Sequence, residues 1–143
     1  MKRSKTVLVD SNILIYAINN SSPKNLPAQT YLQANVGKMA IAHQNIFETI
    51  RVLTHNKFPN PMPPVDAVTA LINIAKGCHV IEPQSDTYHI AIALIQKHSL
   101  KGDKVFDAYL AATALSVGIS FIITDNTKDF LAFEGISAMN PFQ

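Results

Sequence analysis

From Val105 to Thr124 the chain reads VFDAYLAATALSVGISFIIT, an apolar stretch with a single charge, Asp107. Gly118 divides it into a small-residue helix and a β-branched strand, so one buried helix runs through a tight turn into one buried strand. That unit constrains the fold strongly, and the rest of the chain has the same grammar. It also poses a question. An aspartate is seldom buried without a partner, and burying it alone as an anion is costly.

Thr6 to Val9 is a β-branched run ending at Asp10, and SNILIYAI after it has helical spacing, with Asp10 or Ser11 at the helix N-terminus. NNSSPKNLP (Asn19 to Pro27) is dense in turn formers and reads as a loop. Ala28 to Val36 predicts a short helix closed by Gly37. MAIA (Met39 to Ala42) predicts a second buried strand, and HQNIFETIRVLTHNK a helix behind it. FPNPMPP (Phe58 to Pro64), with four prolines, is an extended connection and not a domain linker. Val65 to Ala75 predicts a helix, HVIE a third strand, Asp86 to His98 another helix, and LKGDK a turn. After the opening stretch and TDNTKDF, ISAMNPF adds an edge strand. Strands alternating with helices argue for a three-layer α/β domain, a mainly parallel central sheet flanked by helices, in one unit spanning 1–143. In such sheets the functional crevice lies at the carboxyl ends of the strands, where Asp10 and the segment Asp125 to Asp129 fall.

At 143 residues, 48% apolar and 15% charged, the chain can fill a core and is lean in charge, which suits self-association. The net charge of +2 decides nothing about partners, and Lys2, Arg3 and Lys5 read as a solvated basic tail before a phosphate contact. Cys78 is alone, so an intrachain disulfide is excluded and a reducing compartment fits. The run after the basic tail is broken by Asp10 and Asn12, unlike a cleavable signal, and nothing reaches membrane-spanning length. A cytoplasmic protein without a membrane segment is the expectation.

The ten Asp and Glu residues can be audited one by one. Asp10 is the only charge between Lys5 and Lys24, Glu48 the only one between Lys38 and Arg51, and Asp107 the only one between Lys104 and Asp125. Each has a bland explanation. Asp10 serves as a helix N-cap, Glu48 as an exposed residue or a partner of Arg51, Asp107 as an early-helix acid, and Asp125 or Asp129 as a cap of the final turn. The joint alternative places the acids together at the carboxyl edge of the sheet. Carboxylates that close cannot all stay ionised without cations, and an oxygen-only donor set suits Mg²⁺ or Mn²⁺. A divalent ion so held supports phosphodiester hydrolysis.

These residues resemble the PIN-domain ribonucleases, specifically the VapC-like toxins of type II toxin–antitoxin pairs. VLVDSNILIYA is similar to their opening motif, QNIFETIRVLT to the segment with the second acid, and KVFDAYLAATALSVGISFIITDNTKDF to their most characteristic block. The resemblance covers essentially the whole chain in order. It implies a Mg²⁺- or Mn²⁺-dependent endoribonuclease in which a water oriented by carboxylates attacks the RNA phosphorus. Asp10, Glu48 and Asp107 match the family's three acids, and Asn12 and Thr124 the polar residues that support them. The fourth acid departs from the pattern. The place two residues after the threonine is Asn126, Asp129 matches the other acidic place, and Asp125 is a further candidate. Asp129 is preferred, and the departure leaves one metal or two open. The resemblance also implies a homodimer and a cognate antitoxin that blocks the acidic pocket. The alternative is a PIN-like binding module that has kept the fold and lost the chemistry.

The five histidines lack metal-ligand spacing, although His43 falls near the second acid. No Ser-His-Asp arrangement, no Gly-rich loop ending in Gly-Lys-Ser/Thr and no D-x-D pair is present, which disfavours serine hydrolases, nucleotide-triphosphate enzymes and that class of phosphatase. Asp103 reads as turn surface. Tyr16 and Tyr109 read as core before RNA-stacking residues. Arg51 and Lys104 are candidates for phosphate contacts, and Lys128 is a surface lysine.

Overall fold

The apolar runs form a five-stranded, wholly parallel sheet: β1 (Val7–Val9), β2 (Met39–Ala42), β3 (Cys78–Ile81), β4 (Phe121–Ile123) and β5 (Ser137–Met139), in the order β3-β2-β1-β4-β5. The structure is a computed structural model and describes residues 6–143. The basic run Lys2, Arg3 and Lys5 lies outside the described residues. Six helices connect the strands: α1 (Ser11–Ile18), α2 (Asn25–Ala34), α3 (His43–Thr54), α4 (Pro64–Ala75), α5 (Thr87–His98) and α6 (Lys104–Ser116). A 3-10 turn covers Thr127–Phe130.

Strand alternation divides the core in two. Leu8, Ala40, Ala42 and Ile122 point to the face covered by α5 and α6, where Ala108, Ala111 and Ala114 let α6 approach closely. Val9, Met39, Ile41 and Ile123 point to the opposite face, against Ile13, Leu14, Ala28, Leu32 and Leu71 of α1, α2 and α4. The central strands are therefore buried on both faces, which is why their sequences are continuous apolar runs without polar alternation. This is the expected three-layer α/β architecture. Among the described residues, no helix is long and apolar enough to cross a membrane.

Two helices have other bounds than expected. The loop expected through Pro27 ends earlier, because α2 starts at Asn25. Pro27 sits in the first helical turn, where a missing N–H costs no intrahelical bond. The helix after MAIA ends at Thr54, short of Lys57. Gly118 has φ +81°, the left-handed value that closes α6. Its N–H donates to Leu115 and the N–H of Ile119 to Ala114, and the chain then enters β4.

The order reverses at β1. The chain steps outward through β2 and β3, then returns to the other side of β1 as β4 and β5. The carboxyl ends of β1 and β4 thus meet at the topological switch point, where a crevice forms in open parallel sheets. Asp10 follows the first of these strands and Thr124 the second.

Candidate active site

Asp10 extends the pairing of β1 with β4 through its backbone N–H, which donates to the Ile123 carbonyl at 2.9 Å. Its side chain has two protein donors. Oδ1 accepts from the Ser11 N–H at 2.8 Å, so Asp10 caps α1, and Oδ2 accepts from the Thr124 hydroxyl at 2.9 Å. Thr124, fully buried, in turn accepts from Asn12 Nδ2 and from the Asn126 N–H, each at 3.1 Å. Asn12 Oδ1 accepts from the Asp125 N–H at 3.2 Å. Asn12 and Thr124 thereby lock the two strand ends to each other and fix the Asp10 carboxylate.

Glu48 is held by a relay that the sequence reading missed. The Ser11 hydroxyl donates to Glu48 Oε1 at 2.7 Å and accepts from Asn45 Nδ2 at 3.2 Å. Asn45 Oδ1 accepts from the Ala42 N–H at 2.8 Å, so the same buried side chain caps the start of α3. Glu48 does not pair with Arg51, one of its two bland readings; among the described residues the ion pairs are Lys24–Asp125 and Lys104–Asp129. Glu48 turns toward α1, where a donor is already oriented, and Arg51 stays exposed.

Asp107 lies half-buried in the first turn of α6, one turn after exposed Asp103. Asp129 accepts from Asn126 Nδ2 at 2.6 Å and stands 3.6 Å from the Lys104 ammonium. Neither it nor Asp125 caps the 3-10 turn with its side chain. Asp125 is engaged elsewhere. Lys24 Nζ lies 2.6 Å from its Oδ2, the Tyr16 hydroxyl donates to the same oxygen at 2.7 Å, and Asn140 Nδ2 donates to Oδ1 at 3.1 Å. Tyr16 is thus neither simple core nor an open stacking face; its ring packs edge-on against Phe142.

Burial and mutual repulsion shape the charge. Asp10 is pushed up to about 6, chiefly by desolvation, with Glu48 and Asp129 adding to the shift against hydrogen bonds from Thr124 and Ser11. Asp107 is pushed up to about 7 by desolvation and then by Asp129, Asp10 and Glu48, with Lys104 opposing. The four acids therefore share one electrostatic neighbourhood. Asp125 is different: its hydrogen bond from Lys24 holds it below the usual carboxylate range. In the positions the side chains take, no three His, Cys, Asp or Glu groups among the described residues enclose an ion. The fit to a cation rests on the donor set. Asp10, Glu48 and Asp107 have no ion-pair partner among those residues, and hard oxygen donors suit a hard divalent ion.

The site opens onto a cleft of about 640 Å³ between α3 and α6, with Glu48 and Arg51 on one wall and Asp103 and Asp107 on the other. Gln44 bridges the walls, its Nε2 donating to the Phe106 carbonyl at 3.1 Å.

A sequence model of the PIN domain matches residues 7–135. The chain is 27% identical over 135 residues to ribonuclease VapC37 of Mycobacterium tuberculosis, covering 90% of this chain and 92% of that relative. Among solved structures, it superposes on a toxin–antitoxin complex from Klebsiella pneumoniae with TM-score 0.69, 25% identity and coverage of 96% and 99% of the two chains. It superposes on a DNA-bound VapBC from Salmonella typhimurium with TM-score 0.72, 18% identity and coverage of 95% and 98%.

Proposed function

Because the chain belongs to the PIN-domain family, we propose that it is a divalent-metal-dependent endoribonuclease and the toxin of a toxin–antitoxin pair. The observation that carries this reading is the gathering of Asp10, Glu48, Asp107 and Asp129 in one electrostatic neighbourhood at the switch point, where burial, and then the neighbouring acids, raise the proton affinity of Asp10 and Asp107. Such a cluster is costly to a protein that does not use it. The ribonuclease relative and the toxin–antitoxin complex that shares the fold support the same activity.

Asp10 and Asp107 are the main candidates to hold Mg²⁺ or Mn²⁺, with Glu48 and Asp129 completing the set. When bound, the ion supplies charge neutralisation at the scissile phosphate and acidifies water. The protein's own contribution is positional. Asp10 is pinned by Ser11 and Thr124, Glu48 is oriented by the Ser11 hydroxyl, and Asp107 stands half-buried on the opposite wall. With the ion bound, Glu48 would hold the attacking water or a second ion, and Lys104, beside Asp129, would meet developing negative charge. Asn126, where many family members carry an acid, serves instead as a donor to Asp129.

The partners follow. RNA is the substrate, and a small antitoxin with a basic side chain fits the acidic pocket. Self-association is supported by apolar side chains exposed on α4 and α5, including Ile72 at 52% and Ile92 at 48%. A homodimer is the expected assembly.

The test is cleavage of RNA by purified protein with Mg²⁺ or Mn²⁺, beside an EDTA control and Asp107→Asn. Cleavage that needs both the ion and Asp107 supports the nuclease. Equal inactivity of wild type and variant, with Mn²⁺ bound to neither, leaves a PIN-like binding module.

A further inference from the structure

The cleft beside the acids carries a second chemistry. Its α3 wall presents Phe47, Glu48 and Arg51, and its α6 wall presents Phe106 and Asp107. Gln44, Phe47, Glu48 and Arg51 follow helical spacing along one wall, and Asp103, Phe106 and Asp107 along the other, so each wall brings an aromatic ring and an acid to the cleft. Phe47 is 70% exposed and Phe106 is 57% exposed, and no other phenylalanine among the described residues is exposed. The core has taken up Phe130 and Phe133, so exposure of these two is not a shortage of interior. Arg51, on the same stripe, is exposed and has no ion-pair partner among the described residues.

We propose that the cleft between α3 and α6 is a nucleobase subsite for single-stranded RNA, with Phe47 and Phe106 as stacking faces and Arg51 meeting a backbone phosphate. The proposal rests on the nuclease reading of the adjoining acids. At about 640 Å³ the cleft is within the range of small-ligand sites, roughly 300–1,000 Å³. A base unstacked from its neighbours offers a π-face, whereas a base in a duplex has both faces occupied. An apolar protein side chain is the poorer occupant. An apolar partner covering the cleft buries Glu48 and Asp107 with no countercharge, whereas a nucleotide arriving with a divalent ion brings one. Gln44, tied to the Phe106 carbonyl, holds the two walls at a fixed spacing.

The experiment measures kcat and KM for wild type, Phe47→Ala, Phe106→Ala, Phe106→Tyr and Arg51→Ala on a single-stranded RNA oligonucleotide. It repeats them on a set of oligonucleotides, each lacking one base near the cut. Both rings are exposed, so alanine leaves the fold intact, and the thermal midpoint and solution mass check this. The alanine variants are expected to raise KM by roughly five- to a hundredfold on intact RNA. Phe106→Tyr stays near wild type, the Phe47→Ala and Phe106→Ala penalties disappear at one abasic position, and the Arg51→Ala penalty persists on every substrate. A phenylalanine-to-alanine penalty of equal size on every abasic substrate, or no such penalty at all, overturns the subsite while wild-type cleavage leaves the nuclease reading standing. A changed solution mass in the alanine variants assigns the face to a protein contact and also overturns it. Wild type that neither binds nor cuts RNA with Mg²⁺ or Mn²⁺ removes the nuclease reading, and the subsite falls with it.

Discussion

The Ser11 hydroxyl donates to Glu48 Oε1 at 2.7 Å, joining residues 37 positions apart in the chain. Ser11 opens α1 and Glu48 lies in α3, so the bond exists only once both helices have docked beside the sheet. Asn45 completes the relay from inside the core. Ser11→Ala therefore frees the Glu48 carboxylate without emptying a large volume. The expected outcome is a loss of cleavage of about tenfold with stability lowered by roughly 1 kcal/mol, read by RNA hydrolysis and thermal melting. Asn45→Ala removes the cap of α3 as well and should destabilise more.

Asp107→Asn separates charge from shape. Losing this anion removes a repelled charge and a proposed ligand, so cleavage should fall by more than roughly a hundredfold. The metal-free protein should melt no lower than wild type at pH 8, because the deleted charge is one the fold resists. A variant that keeps wild-type cleavage rules out a role for Asp107 in the reaction.

The pH dependence has a definite sign. Asp10 and Asp107 rise from 3.8 to about 6 and about 7 in the folded chain. Between those limits the folded state holds more protons than the unfolded one, so their contribution to stability is full below pH 4 and is lost as pH rises through 6 and 7. In EDTA the melting temperature should fall between pH 5 and pH 8 by roughly 7 °C, about 2 kcal/mol after discounting for the partial exposure of Asp107. Mg²⁺ should restore it at pH 8. Cleavage should move the opposite way, increasing with pH across the same window as the ligands ionise. Calorimetry with and without the ion measures both the slope and its reversal.

The architecture was legible because buried parallel strands are continuous apolar runs, and VLV, MAIA and FII each end at a polar residue. The separation of Asp10, Glu48 and Asp107 in apolar surroundings marked them as unusual before any geometry was known. The start of α2 was not legible, since Pro27 has the same composition signal in a loop as in a first helical turn. Nor were Ser11 and Asn45, whose roles depend on α1 packing against α3. The role of Asp125 was hidden for the same reason: its partners Lys24 and Asn140 come from segments distant in the chain.

Asp125 and Asp129 lie in the same short segment and should fail differently when changed. Asp125 gathers Lys24, Tyr16 and Asn140, and Phe142 packs on the same tyrosine, so this carboxylate ties the C-terminal segment to α1. Asp125→Ala leaves the Tyr16 hydroxyl and the Asn140 amide without their acceptor and should lower the melting temperature by about 5 °C. The depressed proton affinity of Asp125 sets the window. Its contribution is present above 3.8 and disappears as pH falls through its lowered value, so wild type and variant should converge in strong acid. Asp129 has only Asn126 and a distant Lys104, and it contributes repulsion to both Asp10 and Asp107. Asp129→Asn should therefore melt near wild type at neutral pH while losing most cleavage. Added Mn²⁺ should recover part of the activity of Asp125→Ala, whose ligands are intact, and little of that of Asp129→Asn. If Asp125→Ala is instead the inactive, normally stable variant, Asp125 and not Asp129 completes the site.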